Sequence, residues 1–237
     1  MTSDEKGPLI TTYLEMRSPD QLRPKRCADA RFQIRERTER DWHFNRDLYF
    51  VVGQQWDWTD KRPWTGAQWK EYAAAPELRT FAAYYDDAFA GYYELRSDIA
   101  GGVEIAYFGL LPEFIGRGLG GALLTSAIEE AWSRRGGVAP RRVWVHTCNR
   151  DHPQALANYQ ARGMLVYKVE RERLGTALST RASCRLPRKE TINQPADDHG
   201  ERPAVPRADP LAKKKLKFFE MSAPKIFRKG EVNQQSI

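Results

Sequence analysis

The 237-residue sequence predicts an α/β (α+β) fold: a mixed, mostly antiparallel central sheet flanked by helices. Three observations predict it. Three strand-like runs follow one another between Thr80 and Leu110. Beyond Leu119, helical and strand-like segments alternate. A glycine-rich turn, Gly116 to Gly121, joins the two regions.

Leu9–Leu14 has the composition of a short strand, and Phe32-Gln33-Ile34 alternates as a strand does. A helical stretch follows, with Trp42, Leu48, Tyr49 and Val52 as inward positions, then a tryptophan-rich segment (Trp56, Trp58, Trp64) and a short helix over 69–75. Thr80–Tyr85 and Ala90–Leu95 are aromatic-rich runs joined by Asp86–Phe89, which makes them a hairpin. Val103–Leu110 is the next strand. From Leu119 to Arg135, Leu124, Ala127, Ile128 and Ala131 recur at helical spacing, and Gly136-Gly137 stops the helix. Val143–His146 is a strand. A short helix follows, with Pro153 in its first turn and Asp151 or His152 as its cap. It ends at Gly163, and Leu165–Val169 is the last strand.

Composition divides the chain. Residues 176–237 hold 13 Lys/Arg against 7 Asp/Glu and show poor apolar periodicity, so they read as a basic, mostly disordered tail. Residues 1–30 read as a partly ordered N-terminal segment and 31–175 as the folded domain. Because the remaining 175 residues are close to neutral, a general nucleic-acid-binding domain is not supported. Only the tail, at Lys213–Phe219, offers weak affinity for nucleic acid or an anionic surface. Cys27, Cys148 and Cys184 are odd in number and far apart, which argues against a disulfide framework or zinc site; Cys148 reads as a buried thiol. His146 and His152 stand alone and read as structural, and no metal is expected. No leader-like or membrane-spanning apolar run occurs, so a reducing cytoplasm is the expected location.

The chemistry centres on Leu110–Gly121. A strand ends, a glycine-rich turn follows and a helix begins. The first N–H groups of a helix lack internal partners and carry the positive end of its dipole, and glycines let a phosphate approach the backbone. The motif GxxxxGK[ST] is absent. A dinucleotide-binding fold needs its glycine turn just after the first strand of a parallel sheet, whereas about seventy residues of antiparallel strand and helix precede this one. Coenzyme A is the remaining diphosphate ligand.

Ile115-Gly116-Arg117-Gly118-Leu119-Gly120 resembles the [Gln/Arg]-x-x-Gly-x-[Gly/Ala] signature of the GNAT N-acetyltransferases. Phe108–Glu113 resembles that family's bulged strand, and Ala155–Met164 its later Ala-x-x-x-Tyr-x-x-x-Gly-Phe segment. The likeness covers about 80–170, with weaker support back to Phe32. It departs from the family at Ile115, where Gln or Arg is usual, and at His152, where Asn is frequent; Asn149 and Asn158 are both candidates to substitute.

The resemblance implies a sheet splayed between the fourth and fifth strands and acetyl-CoA as co-substrate. It implies direct acetyl transfer in a ternary complex to a primary amine on a small molecule or a protein. The backbones of Phe108 and Leu110 hold the pantetheine arm. Gly116, Arg117, Gly118, Leu119, Gly120 and Gly121 hold the diphosphate. Glu104 corresponds in spacing to the family's general base and Tyr159 to its general acid. Alternation puts Glu104, Ala106, Phe108 and Leu110 on one face of their strand. Among the aromatics Trp56, Trp58, Trp64, Tyr84, Tyr92 and Tyr93, the acceptor-site candidates are Trp56, Trp58 and Tyr92. The rival reading is a non-catalytic acyl-CoA-binding module. A homodimer is compatible with the sequence.

Overall fold

The computed structural model describes residues 7–133 and 139–172. The expectations for 176–237, including Cys184 and Lys213–Phe219, and for the end of the helix at 134–137 lie outside the described residues. Among them, seven strands form one sheet: β1 (Ile10–Met16), β2 (Phe32–Arg37), β3 (Leu78–Tyr85), β4 (Ala88–Ser97), β5 (Gly102–Leu110), β6 (Arg142–Cys148) and β7 (Leu165–Arg171), in the order β2-β3-β4-β5-β6-β1-β7. Every neighbouring pair is antiparallel except β5 and β6. No helix among the described residues is long and apolar enough to cross a membrane.

The β3–β4 hairpin is tighter than its sequence suggests. Tyr85 pairs with Ala88, so only Asp86 and Asp87 form the turn, both at positive φ (53° and 61°). Two left-handed residues match the twist of the flanking strands, and aspartate tolerates that conformation.

Helix α1 (Trp42–Gly53) starts at Asp41, whose carboxylate accepts the His43 N–H at 3.0 Å. It buries Leu48, Tyr49 and Val52 as expected, while Trp42 is only half-buried. Helix α2 (Gly66–Ala74) begins earlier than the apolar pattern indicates, because Thr65 and Gln68 form a capping box. These helices and one sheet face enclose a cluster of Tyr49, Trp69, Tyr72 and Leu78, with Trp58 and Tyr107 packed against it. Helix α3 (Leu119–Trp132) buries Leu124, Ala127, Ile128 and Ala131 in the larger core with Leu14, Ile105, Leu110, Val143 and Val145. Helix α4 (Ala155–Ala161) has Gln154 at its N-cap, so neither Asp151 nor His152 caps it. Asp151 instead accepts from the Cys148 N–H (2.9 Å) and the Thr147 hydroxyl (2.7 Å), closing the turn after β6.

The segment before residue 31 contributes an interior strand. β1 lies between β6 and β7 and pairs with both. Leu14 and Met16 are fully buried. Leu14→Ala is therefore expected to destabilise the chain by about 2–5 kcal/mol, the cost of a cavity in a packed interior. Chemical denaturation checks this, and a loss below about 0.5 kcal/mol, typical of a surface change, contradicts it.

Candidate functional site

The parallel pairing of β5 and β6 covers only Gly102–Glu104 against Arg142–Trp144. Beyond it the strands diverge, and a cavity of about 660 Å³ opens between them. Residues 105–110 of β5 line one side, with Val145, His146 and Cys148 of β6 across from them. Cys148 is thus half-buried on the cavity wall, not sealed in the core, because β6 has lost its neighbour at that point.

β5 carries a bulge. Ile105 pairs with Leu95 and Tyr107 with Glu94, which leaves Ala106 as the extra residue. The bulge reverses the phase of the strand. Val103 and Ile105 enter the core beside α3; past the bulge Phe108 and Leu110 do so, while Tyr107 turns to the α1–α2 side. The expectation that Glu104 shares a face with Phe108 and Leu110 is therefore overturned. Glu104 is 3 % exposed, does not line the cavity and meets His146, with Nδ1 to Oε1 at 3.3 Å. The contact is an ion-pair approach without a hydrogen bond, and neither atom has another hydrogen-bond partner.

At the far end of β5, Pro112–Phe114 makes one 3-10 turn and the chain enters the glycine segment. Gly116 (φ 82°) and Gly118 (φ 79°) are both left-handed, a conformation that glycine takes without penalty. Gly118 is the N-cap of α3 and offers no side chain, so the first N–H groups of the helix remain available. Gly116, Gly118, Gly120 and Gly121 line the cavity. Leu119 is 3 % exposed and packs inward. Arg117 does not line the cavity; its guanidinium lies 4.2 Å from the Tyr85 ring centroid.

Two cations reach this turn from elsewhere, and sequence reasoning missed both. Lys25 is held by its own N–H to Thr125 Oγ1 at 2.9 Å, and its Nζ lies 3.6 Å from where a Gly118 Cβ would stand. Arg162, just after α4, brings Nη1 within 2.5 Å of a Cβ placed on Gly121. Both line the cavity, neither pairs with a carboxylate among the described residues, and Arg162 Nε is buried without a hydrogen-bond partner. No local signal marks Lys25. It reaches the turn because β1 threads into the sheet and returns the following segment across α3.

The two candidate asparagines separate. Asn158 lines the cavity and donates from Nδ2 to the Gly120 carbonyl at 3.2 Å. Asn149 is committed to β1, accepting from the Ile10 N–H and donating to the Pro8 carbonyl, each at 3.0 Å. Tyr159 is 5 % exposed, its ring 6.0 Å from that of Phe108. Burial pushes its hydroxyl well above the ordinary phenol range, so it stays protonated.

On the α1–α2 side, Trp56 and Trp58 line the cavity. Tyr92 does not. It sits on β4, one strand removed from the open edge of β5, fully buried behind Trp58 with ring centroids 6.3 Å apart. Trp64 and Tyr93 likewise belong to the cores, and Tyr84 packs on Phe89. Asp60, also unforeseen, lines this end and accepts from Tyr49 (2.9 Å) and Tyr107 (2.5 Å). Lys61 lies behind it, 1 % exposed, 2.8 Å from the Tyr107 hydroxyl and above the Trp64 and Tyr72 rings; its burial lowers its pKa. Arg150 reaches Asp57 at 3.3 Å and ties the loop after β6 to the loop after α1.

Comparison with known proteins matches the model of the Acetyltransferase (GNAT) family to residues 33–164, more than half of the chain. No curated protein sequence matches. Among solved structures, a GCN5-related N-acetyltransferase from Sphaerobacter thermophilus is similar at 20 % identity with a TM-score of 0.52, covering 71 % of this chain and 54 % of that one. A functionally unknown conserved protein from Staphylococcus epidermidis is similar at 16 % identity and TM-score 0.48, covering 70 % of this chain and 62 % of that one. An aminoglycoside acetyltransferase from an uncultured soil metagenomic sample shares 14 % identity at TM-score 0.44, over 56 % of this chain and 88 % of that one. The chain spans less than two thirds of the length of the first two structures. The sheet agrees in kind with that of the Sphaerobacter protein, and the family match runs from β2 to the residue before β7. With a bulged and opened β5, a glycine turn starting α3 and Tyr159 on α4, this chain belongs to the GNAT acetyltransferase family.

Proposed function

We propose that the protein transfers an acetyl group from acetyl-CoA to a primary amine, the amine attacking the thioester directly while both substrates are bound. One observation carries the reading: the uncapped start of α3, the cations Lys25 and Arg162, neither paired with a carboxylate among the described residues, and the open edge of β5 all face one cavity. The helix N-terminus and the two cations suit a diphosphate. Lys25 and Arg162 supply the positive charge that Ile115 lacks, and Asn158 steadies the turn through the Gly120 carbonyl. The free N–H and C=O groups of β5 between 106 and 110 suit the amides of the pantetheine arm, as an open strand edge accepts another strand. Preorganised backbone donors there polarise the thioester carbonyl. Tyr159, protonated and on the cavity wall, is placed to hand a proton to the departing sulfur.

The acceptor enters on the α1–α2 side, between Trp56, Trp58 and the carboxylates of Asp57 and Asp60. Aromatic faces and carboxylates suit a cation, which is the form of most amines at neutral pH. The acceptor is a small-molecule or protein amine.

Calorimetry with acetyl-CoA on the full chain, and amine-dependent release of free thiol, test the proposal. Binding without turnover over a broad amine panel favours the non-catalytic module instead. Replacing Lys25 by Ala is expected to weaken acetyl-CoA binding about 5- to 20-fold, with the effect shrinking at high salt, since each lost charge-assisted contact is worth about 1–2 kcal/mol. Unchanged affinity removes Lys25 from the site.

A further inference from the structure

Glu104 occupies the position where the resemblance puts a general base, yet it cannot touch a substrate. It is almost fully buried, its strand phase is reversed relative to Phe108 and Leu110, and it is absent from the cavity wall. His146 is on that wall, with Nδ1 turned to Glu104 Oε1 at 3.3 Å. We infer that His146 is the group that deprotonates the acceptor amine and that Glu104 acts through it as a positioning residue. The inference rests on the acetyl-transfer reading above.

The geometry follows from strand pairing. Glu104 is in register with Trp144, in the last parallel pair before β5 and β6 separate. His146 lies two residues further along β6, on the same face as Trp144, at the point where the sheet opens. Its ring is therefore backed by a buried carboxylate at the closed end of the gap and faces the open end. Tyr13 of β1 flanks it at 5.7 Å between ring centroids, and Trp144 at 6.2 Å, which limits ring rotation. With Nδ1 turned to the carboxylate at 3.3 Å, Nε2 is the nitrogen left for the cavity. A carboxylate that fixes the imidazole tautomer and stabilises the imidazolium is the general arrangement of a histidine base.

The step balances without a further reactant. The acceptor ammonium gives one proton to His146 Nε2. The freed lone pair forms the N–C bond at the thioester carbonyl. As the C–S bond breaks, its electron pair leaves on sulfur, which takes up the second proton of the attacking nitrogen by way of Tyr159. The proton on His146 passes to solvent, so one proton is released for each amide and free thiol formed.

The groups facing the ring set its titration. Burial pulls the His146 pKa down. The Glu104 carboxylate raises it, as do Cys148 at the end of the strand and Asp151 in the turn that follows, and the result stands above the ordinary imidazole value. Glu170 of β7, bonded to the Tyr13 hydroxyl at 2.7 Å, also lies within electrostatic range. A base works only when deprotonated, so kcat/KM must fall as pH drops through the His146 pKa. Removing the Glu104 charge takes away the main raising influence, so the acid limb must move to lower pH.

The test uses the full chain, acetyl-CoA and a panel of spermidine, phenethylamine and a lysine-containing peptide. Wild type is expected to show an acid limb in kcat/KM that coincides with the His146 imidazole titration followed by NMR. His146→Gln should lose about 100-fold in kcat at neutral pH, in the range usual for removal of a general base. Its acetyl-CoA affinity should stay within about twofold, and its residual rate should rise with pH in step with the free-amine fraction. Glu104→Gln should keep the limb but shift it down by about one pH unit. A His146→Gln chain with wild-type rate and limb overturns the dyad while leaving acetyl transfer intact, as does an imidazole titration that departs from the kinetic limb. Glu104→Gln that lowers the rate with the limb unmoved assigns Glu104 to structure alone and overturns the pairing. Wild type that binds acetyl-CoA yet acetylates nothing in the panel overturns the parent reading and the dyad together.

Discussion

Gly120→Asp is expected to weaken acetyl-CoA binding at least about 100-fold, or roughly 2.7 kcal/mol, while the folded chain keeps its stability. The position accepts a side chain. A Cβ there would meet Leu110 Cδ1 at 3.7 Å and Asn158 Nδ2 at 3.9 Å, both ordinary contacts. It is also the second residue of α3, where a carboxylate favours the helix by about 0.3–1 kcal/mol. What the carboxylate takes is the role of the ligand. It sits among the free N–H groups, on the turn that Lys25 and Arg162 approach at Gly118 and Gly121, and it confronts an incoming phosphate with about 3 kcal/mol of repulsion at 5 Å in a partly screened site. Gly120→Asn adds similar bulk without charge and should lose far less. Calorimetry on the two variants beside wild type decides the matter. An aspartate variant that binds within threefold of wild type means that the diphosphate lies elsewhere.

Gly163→Ala is expected to cost at least about 3 kcal/mol of stability, a loss reached only when backbone and packing faults combine. Gly163 follows α4 with φ of 96°, a left-handed helix end that costs any other residue about 1–2 kcal/mol. Its missing side chain also leaves room for another backbone: a Cβ would fall on the Gln21 carbonyl oxygen and lie 3.6 Å from the Arg23 nitrogen. That nitrogen donates to the Arg162 carbonyl at 3.0 Å, so the N-terminal segment is bonded where it crosses. Neither backbone can yield cheaply. Displacing the segment also displaces Lys25, so the variant should bind acetyl-CoA more weakly even at temperatures where it stays folded. Denaturant unfolding monitored by circular dichroism measures the loss, and a change under 1 kcal/mol contradicts this account of the crossing.

The contrast between these two glycines indicates what a sequence displays. Gly120 is legible because its neighbours repeat the same local requirement, a backbone that a phosphate can approach. The strands between Thr80 and Leu110 and the apolar face of α3 are legible for a similar reason, since period and turn chemistry are local properties. Gly163 is visible as the end of a helix, but the segment against it comes from 140 residues away. Lys25 and Arg162 meet at the turn only through that crossing. The phase of β5 is hidden too: the bulge at Ala106 exists because of the pairing partner on β4, and without it Glu104 would have shared a face with Phe108. His146 looked ordinary as a lone histidine on an apolar strand. It became chemically distinct once parallel pairing set Glu104 behind it and the divergence of β5 and β6 left open space in front.

The place of β1 also governs when the machinery can exist at all. Thr11 pairs with Cys148 on one side and with Glu170 on the other, so the strand that braces the histidine is translated well ahead of its neighbours, which follow only after some 140 to 160 further residues have been joined. During synthesis this stretch must wait unmated beside the ribosome, while β3, β4 and β5 can already zip together as consecutive hairpins. Closure of the longest loop comes last and is entropically the most expensive step of assembly. A stalled or clipped nascent chain would thus hold most of a sheet and no working centre, with an apolar strand open to capture by chaperones.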